Sequence, residues 1–128
     1  MSPAEEFKNA SSLNRAESVD IWKARRFIEQ HSDEEISLSK LAKAININPT
    51  HLSEKFKQVT GVKFVDYVAR TRFDKARKLL ADGDVRISEI AFEVGFQSLS
   101  QFNRVFKRLS GKSPTAYRAA QTRRRKRR

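Results

Sequence analysis

A stretch of this chain repeats itself about fifty residues further on, and that repeat limits the possible folds more than any other feature. Leu38, Ser39, Leu41, Ala42 and Ile45 match Ile87, Ser88, Ile90, Ala91 and Val94 at an offset of 49 positions. After one inserted residue the offset becomes 50, and Leu52, Phe56, Lys57, Thr60, Gly61 and Tyr67 match Phe102, Phe106, Lys107, Ser110, Gly111 and Tyr117. A chain written this way builds one supersecondary unit twice. The slip in register falls between two helical patterns, where a turn absorbs it.

Each copy reads as a short helix, a turn and a longer helix. In the first, Leu38, Leu41, Ala42 and Ile45 lie at helical spacing. Asn46 then stands where the second copy has Gly95, and both residue types tolerate a left-handed backbone. Asn48 is a good N-cap and Pro49 suits the first helical position. In the second copy Ser98 and Gln101 make the S-x-x-Q pattern of a capping box. Gly61 and Gly111 stop the longer helices. Helix, tight turn and helix of these lengths is a helix-turn-helix unit.

The flanks complete an all-α chain. Residues 1–18 are expected to be weakly ordered, and 19–62 to form the first subdomain, opened by a helix over 19–31 with Trp22 and Ile28 in its core. Residues 63–82 form the longest helix, a linker with Phe64, Val65, Val68, Phe73, Ala76, Leu79 and Leu80 on or near one stripe. Residues 83–120 form the second subdomain, closed by a short helix that Ser113-Pro114 starts and that runs through Tyr117. Residues 121–128 are a basic tail.

Charge narrows the partners. Lys and Arg exceed Asp and Glu by 12, and the block Arg123 to Arg128 supplies half of that excess. Such a balance favours a polyanion through counterion release, or an anionic membrane surface. No apolar run is long enough to span a membrane. Residues 1–20 lack a basic start followed by an apolar run, so no signal peptide is expected and the cytoplasm is the expected compartment. Cysteine is absent, which excludes disulfides, thiolate metal sites and a cysteine nucleophile. His31 and His51 are the only histidines and lie on separate helices without supporting ligands, so no metal is expected. There is no H-E-x-x-H, G-x-S-x-G or phosphate-cradling glycine loop; no catalytic residue and no cofactor are expected.

The apolar positions orient the two longer helices, over 49–60 and 98–110. With Leu52, Phe56 and Val59 inward, Thr50, Ser53, Glu54 and Lys57 turn outward and His51 lies at the edge. With Phe102, Phe106 and Leu109 inward, Ser100, Asn103, Arg104 and Lys107 turn outward and Gln101 lies at the edge. These are side chains a DNA groove reader needs. Arg104 suits guanine O6 and N7, Asn103 or Gln101 suits adenine, and Thr50 offers a methyl group to thymine. Lys57 and Lys107, a turn further along, suit phosphates. Glu54 either accepts from cytosine N4 or pairs with Lys55 or Lys57. The Arg123–Arg128 run reads as a phosphate-binding arm, a targeting-like patch or a solvated tail. A general architectural or RNA-binding protein, and a helical docking domain for a protein partner, are the rival binding classes.

The second copy carries Ile90-Ala91, Gly95-Phe96, Phe102, Arg104, Phe106-Lys107, Gly111, Pro114 and Tyr117-Arg118. The first carries Leu41-Ala42, Leu52, Phe56-Lys57, Gly61, Tyr67, Arg70, Arg72, Ala76 and Leu79-Leu80. Over about residues 20–118 the chain resembles the DNA-binding domain of AraC/XylS-type transcription regulators. The resemblance implies a seven-helix domain of two helix-turn-helix subdomains joined by a long rigid helix. It implies asymmetric binding to double-stranded DNA over about two turns, and contact with RNA polymerase in many members. It places base contacts at Thr50, Ser53, Glu54, Ser100, Gln101, Asn103 and Arg104, with phosphate contacts expected at Lys57, Lys107 and Arg118. Glu54 departs from the basic residue often found there. Most members carry a separate sensory or dimerisation domain, and residues 1–18 are too short and polar to be one, so the chain is either a stand-alone regulator or a piece of a longer one.

Overall fold

The computed structural model describes residues 12–127, and side chains from 19 to 124. Among the described residues there are seven helices and no strand: α1 Ser12–His31, α2 Leu38–Ala44, α3 Pro49–Thr60, α4 Phe64–Leu80, α5 Ile87–Glu93, α6 Leu99–Ser110 and α7 Pro114–Arg127. Two compact units divide them, 12–30 with 36–66, and 31–35 with 67–127. The expected linker helix therefore belongs, from Tyr67 onward, to the second unit.

Local chemistry sets the helix ends. The Asn48 side chain accepts hydrogen bonds from the backbone N–H groups of Thr50 and His51, at 2.9 and 3.2 Å, and Pro49 follows as the first helical residue. Ser98 accepts from the N–H of Gln101 at 3.0 Å. The return bond of the expected capping box is displaced by one residue: Gln101 Oε1 accepts from the N–H of Gln97, not of Ser98, at 3.1 Å. Gly61 and Gly111 end α3 and α6 in the left-handed conformation, at φ 81° and 80°. The repeat holds down to single hydroxyls. Thr60 Oγ1 donates to the Phe56 carbonyl, and Ser110 Oγ to the Phe106 carbonyl, at 2.7 and 2.8 Å.

In the first unit Ile21, Ala24 and Ile28 of α1 are buried, as are Leu41, Ala42, Leu52, Phe56 and Phe64. The second unit is built on rings. Phe73 stacks on Phe106, Phe102 meets both Phe96 and Phe106, and Tyr117 meets Phe106 edge-on at 5.2 Å between centroids. Burying one such side chain stabilises the fold by roughly 1.5–3 kcal/mol.

The internal repeat extends further than the helix-turn-helix pattern. On α4, Phe73, Ala76 and Leu80 are buried at the spacing of Ile21, Ala24 and Ile28 on α1. The chain writes Lys23-Ala24-Arg25 and again Lys75-Ala76-Arg77. Each copy is thus three helices, α1–α3 and α4–α6, with α7 closing the second.

Several expectations change. Trp22 is not a core residue: it is 56% exposed, one position round the helix from buried Ile21, with Arg26 over its ring at 5.1 Å. Val59 is also exposed, and Val65 is 71% exposed, off the stripe that buries Phe64 and Val68. Helix α1 starts at Ser12 rather than 19, in a stretch free of Gly and Pro and containing Leu13, Arg15, Ala16 and Glu17, all good helix formers. Residues 1–11 lie outside the described residues. Helix α7 does not stop near Tyr117 but continues to Arg127, because Ala119, Ala120, Gln121 and the arginines favour helix and cations suit a helix C-terminus.

Candidate nucleic-acid interface

A short helix precedes each longer one, and a left-handed residue makes the turn between them. In the first unit that residue is Asn46, at φ 58°; in the second it is Gly95, at φ 109°. Gly95 has a further reason to lack a side chain. A Cβ there would run into the Ser32 carbonyl oxygen and reach 2.8 Å from Arg72 Nε. Ser32 is fully buried. Arg72 donates to the carbonyls of Ser32 and Glu34, at 2.8 and 2.9 Å, and Lys75 Nζ donates to the Ser32 hydroxyl at 2.6 Å. Burial lowers the Arg72 pKa from its ordinary value through desolvation. These contacts seat the turn ahead of α6.

On α3, Leu52 and Phe56 are fully buried, which turns Thr50, Ser53, Glu54 and Lys57 to the surface beside His51. On α6, Phe102, Val105 and Phe106 are buried, and Ser100, Asn103, Arg104 and Lys107 are exposed. Every expected base or phosphate position on the two helices except Gln101 is thus surface-exposed. Gln101 is half-buried and holds the Gln97 N–H, so its amide already serves the turn.

Arg118, expected at a phosphate, makes two hydrogen bonds within the domain. Its Nε donates to the Leu80 carbonyl at 3.2 Å and its Nη2 to the Asp82 carbonyl at 3.0 Å. The last carbonyls of a helix lack partners within it, and a cation offsets the negative end of the helix dipole. Arg118 therefore closes the end of α4. Arg108, which is not among the expected contacts, is also exposed on α6. It lies four residues after Arg104 and so on the same face one turn on, a spacing that the sequence alone displays.

The two helices differ in charge. Glu54 offsets one of Lys55 and Lys57 on α3, whereas Arg104, Lys107 and Arg108 on α6 face no acid of their own helix. The second helix is the stronger match for a polyanion. No group of three or more His, Cys, Asp or Glu that could hold a metal occurs among the described residues, and none of their helices is long and apolar enough to cross a membrane.

Comparison with known proteins agrees with this geometry. A family described as "Helix-turn-helix domain" matches residues 41–120. The HTH-type transcriptional activator Btr of Bacillus subtilis is 37% identical over 85 residues, 66% of this chain and 16% of that protein. YisR of the same organism, an uncharacterized HTH-type transcriptional regulator, is 30% identical over 111 residues, 87% of this chain and 39% of that protein. The chain thus spans well under half the length of these relatives. Among solved structures, the C-terminal domain of the response regulator AraT from Geobacillus stearothermophilus superposes with a TM-score of 0.76 at 32% identity, covering 79% of this chain and 84% of that one. The DNA-binding domain of AdpA, a global transcriptional factor solved with a target DNA, superposes at 0.78 with 27% identity, covering 83% and 96%. With the family matched over more than half its length, the chain belongs to the AraC-type helix-turn-helix transcription regulators.

Proposed function

We propose that this domain binds double-stranded DNA sequence-specifically and regulates transcription, with α3 and α6 as recognition helices in successive segments of the major groove. The observation that carries the reading is the duplicated polar face: Thr50, Ser53, Glu54 and Lys57 on one helix answer Ser100, Asn103, Arg104 and Lys107 on the other, each behind its own short helix and turn. The complex of the related AdpA domain with DNA supports it. Arg104 and Asn103 read base edges on α6, and Thr50 and Ser53 do so on α3. Lys57, Lys107 and Arg108 hold phosphates. Glu54 makes α3 the weaker reader. The chain works without catalysis, in the cytoplasm, and RNA polymerase is a second partner.

Selection of bound sequences from a random DNA pool, followed by footprints of single variants, tests this. Successive major-groove segments are one duplex turn apart, so preferences lost through Thr50 or Ser53 should lie about 10 base pairs from those lost through Arg104. Adjacent footprints, or no preference in the selected pool, would overturn the proposal.

A further inference from the structure

The two three-helix copies differ in what lies beside the turn that follows the short helix. In the second, the place between α4 and the turn after α5 is filled by the segment Ser32-Asp33-Glu34-Glu35, which turns at Ser32-Asp33 and is closed by a 3.0 Å hydrogen bond from the Glu34 N–H to the His31 carbonyl. Lys75 holds the Ser32 hydroxyl there, and the Ser32 carbonyl presses on Gly95. In the first copy Lys23 stands where the second has Lys75, and Asn46 stands where it has Gly95. Between them lies an open cavity of about 360 Å³, lined by Trp22, Lys23, Arg26, Phe27, Ile45 and Asn46 among others. Trp22 is 56% exposed at its rim, an unusual position for the largest apolar side chain of a domain.

We propose that this groove is a docking site for a short acidic turn segment of a partner protein, set against Trp22 with its carboxylates toward Lys23 and Arg26. Two observations choose that occupant. The segment lodged at the corresponding place carries three acids in a row, Asp33, Glu34 and Glu35. The open groove presents exposed Lys23 and Arg26, which complement such charges. The Asn46 side chain replaces the bare Cα of Gly95, so a segment here cannot approach as closely. Its amide instead both donates and accepts, as pairing with the backbone of a turn requires. The rings of Trp22 and Phe27 supply apolar contact. This surface lies on α1, the end of α2 and the turn after it, on other residues than those of α3 assigned to DNA.

Trp22 is the only tryptophan of the chain, so its fluorescence reports the groove alone. The probe is a synthetic peptide copying residues 31–37, titrated into the full chain at low salt. The expected result is a saturable blue shift as the ring leaves water. The variant K23E/R26E should bind about tenfold more weakly, since each exposed charge pair contributes little and two are reversed. Both positions are exposed, and circular dichroism verifies that the variant is folded. A neutral version of the peptide, carrying D33N, E34Q and E35Q, should give no saturable shift. An equal response to that neutral peptide, no response up to millimolar concentration, an unchanged affinity in K23E/R26E, or a shift produced by duplex DNA and not by the peptide would each overturn the proposal.

Discussion

The rings of Phe73 and Phe106 stack with centroids 4.8 Å apart and planes within 9° of parallel. This contact fixes α6 against α4, and Phe106 also meets Phe102 and Tyr117. Its counterpart Phe56 is equally buried and meets Phe64 edge-on at 6.2 Å. Phe106→Ala and Phe56→Ala should each cost about 3–5 kcal/mol by emptying a core site. A loss of that size takes most of the stability of a small domain. Thermal melts followed by circular dichroism should show both variants largely unfolded or strongly lowered in Tm; melting near the parent temperature would contradict the packing described.

Gly95 should be the least replaceable turn residue. Alanine there combines a disfavoured backbone at φ 109° with a Cβ driven into the Ser32 carbonyl. Gly95→Ala should cost about 3 kcal/mol, as backbone strain and overpacking add. Asn46→Gly, at φ 58° on the exposed turn of the other copy, should be nearly neutral, since asparagine already tolerates that conformation and glycine does so freely. Urea titrations of the two variants compare them directly, and equal midpoints would mean that the Ser32–Gly95 contact does not constrain the turn.

Much of the fold is legible in the sequence because it is local. The Asn48-Pro49 start, the Gly61 and Gly111 stops and the inward pairs Leu52/Phe56 and Phe102/Phe106 follow from caps and helical spacing within a few residues. What the sequence conceals depends on partners far along the chain. Trp22 reads as core because an aromatic ring among apolar neighbours usually is; only the packed α1 shows that Ile21, Ala24 and Ile28 form the buried stripe. The carbonyls that Arg118 meets lie 38 and 36 residues earlier, beyond the reach of any local pattern. Gly95 reads as left-handed, but the reason it must be glycine lies at Ser32. The match of α1 with α4 is visible in Lys23-Ala24-Arg25 and Lys75-Ala76-Arg77, but it sits at a different offset from the rest of the repeat.

The basic end of α7 should add affinity without information. Arg123 and Arg124 are exposed at the start of the block of six cations. If that block touches only phosphates, deleting residues 123–128 should weaken binding to target and random DNA by a similar factor. The salt slope should fall by about 0.9 for each phosphate that the block neutralises. Binding titrations at several salt concentrations measure both quantities. A fall in the ratio of target to random affinity would mean that the block reads bases.

Arg104, Lys107 and Arg118 are three cations of the second unit with three separable roles. Arg104 is exposed on the outward face of α6, and its fork suits guanine. Arg104→Ala should therefore cost about 1–3 kcal/mol at the selected site and relax preference at one or two base pairs. Lys107, nearly one turn further on, should act at a phosphate: Lys107→Ala should weaken every sequence alike and lower the salt slope by about one unit. Arg118→Ala should behave differently from both, because its guanidinium is committed to the Leu80 and Asp82 carbonyls. It should lower the melting temperature, at a cost of about 1–3 kcal/mol for hydrogen bonds to a charged group. The folded fraction should keep its salt slope and its base preference. Binding isotherms on target and random duplexes at three salt concentrations, with a melt of each variant, separate the roles. If Arg118→Ala lowers the salt slope and leaves the melt unchanged, Arg118 holds DNA rather than α4; if Arg104→Ala leaves base preference intact, α6 reads DNA through other residues.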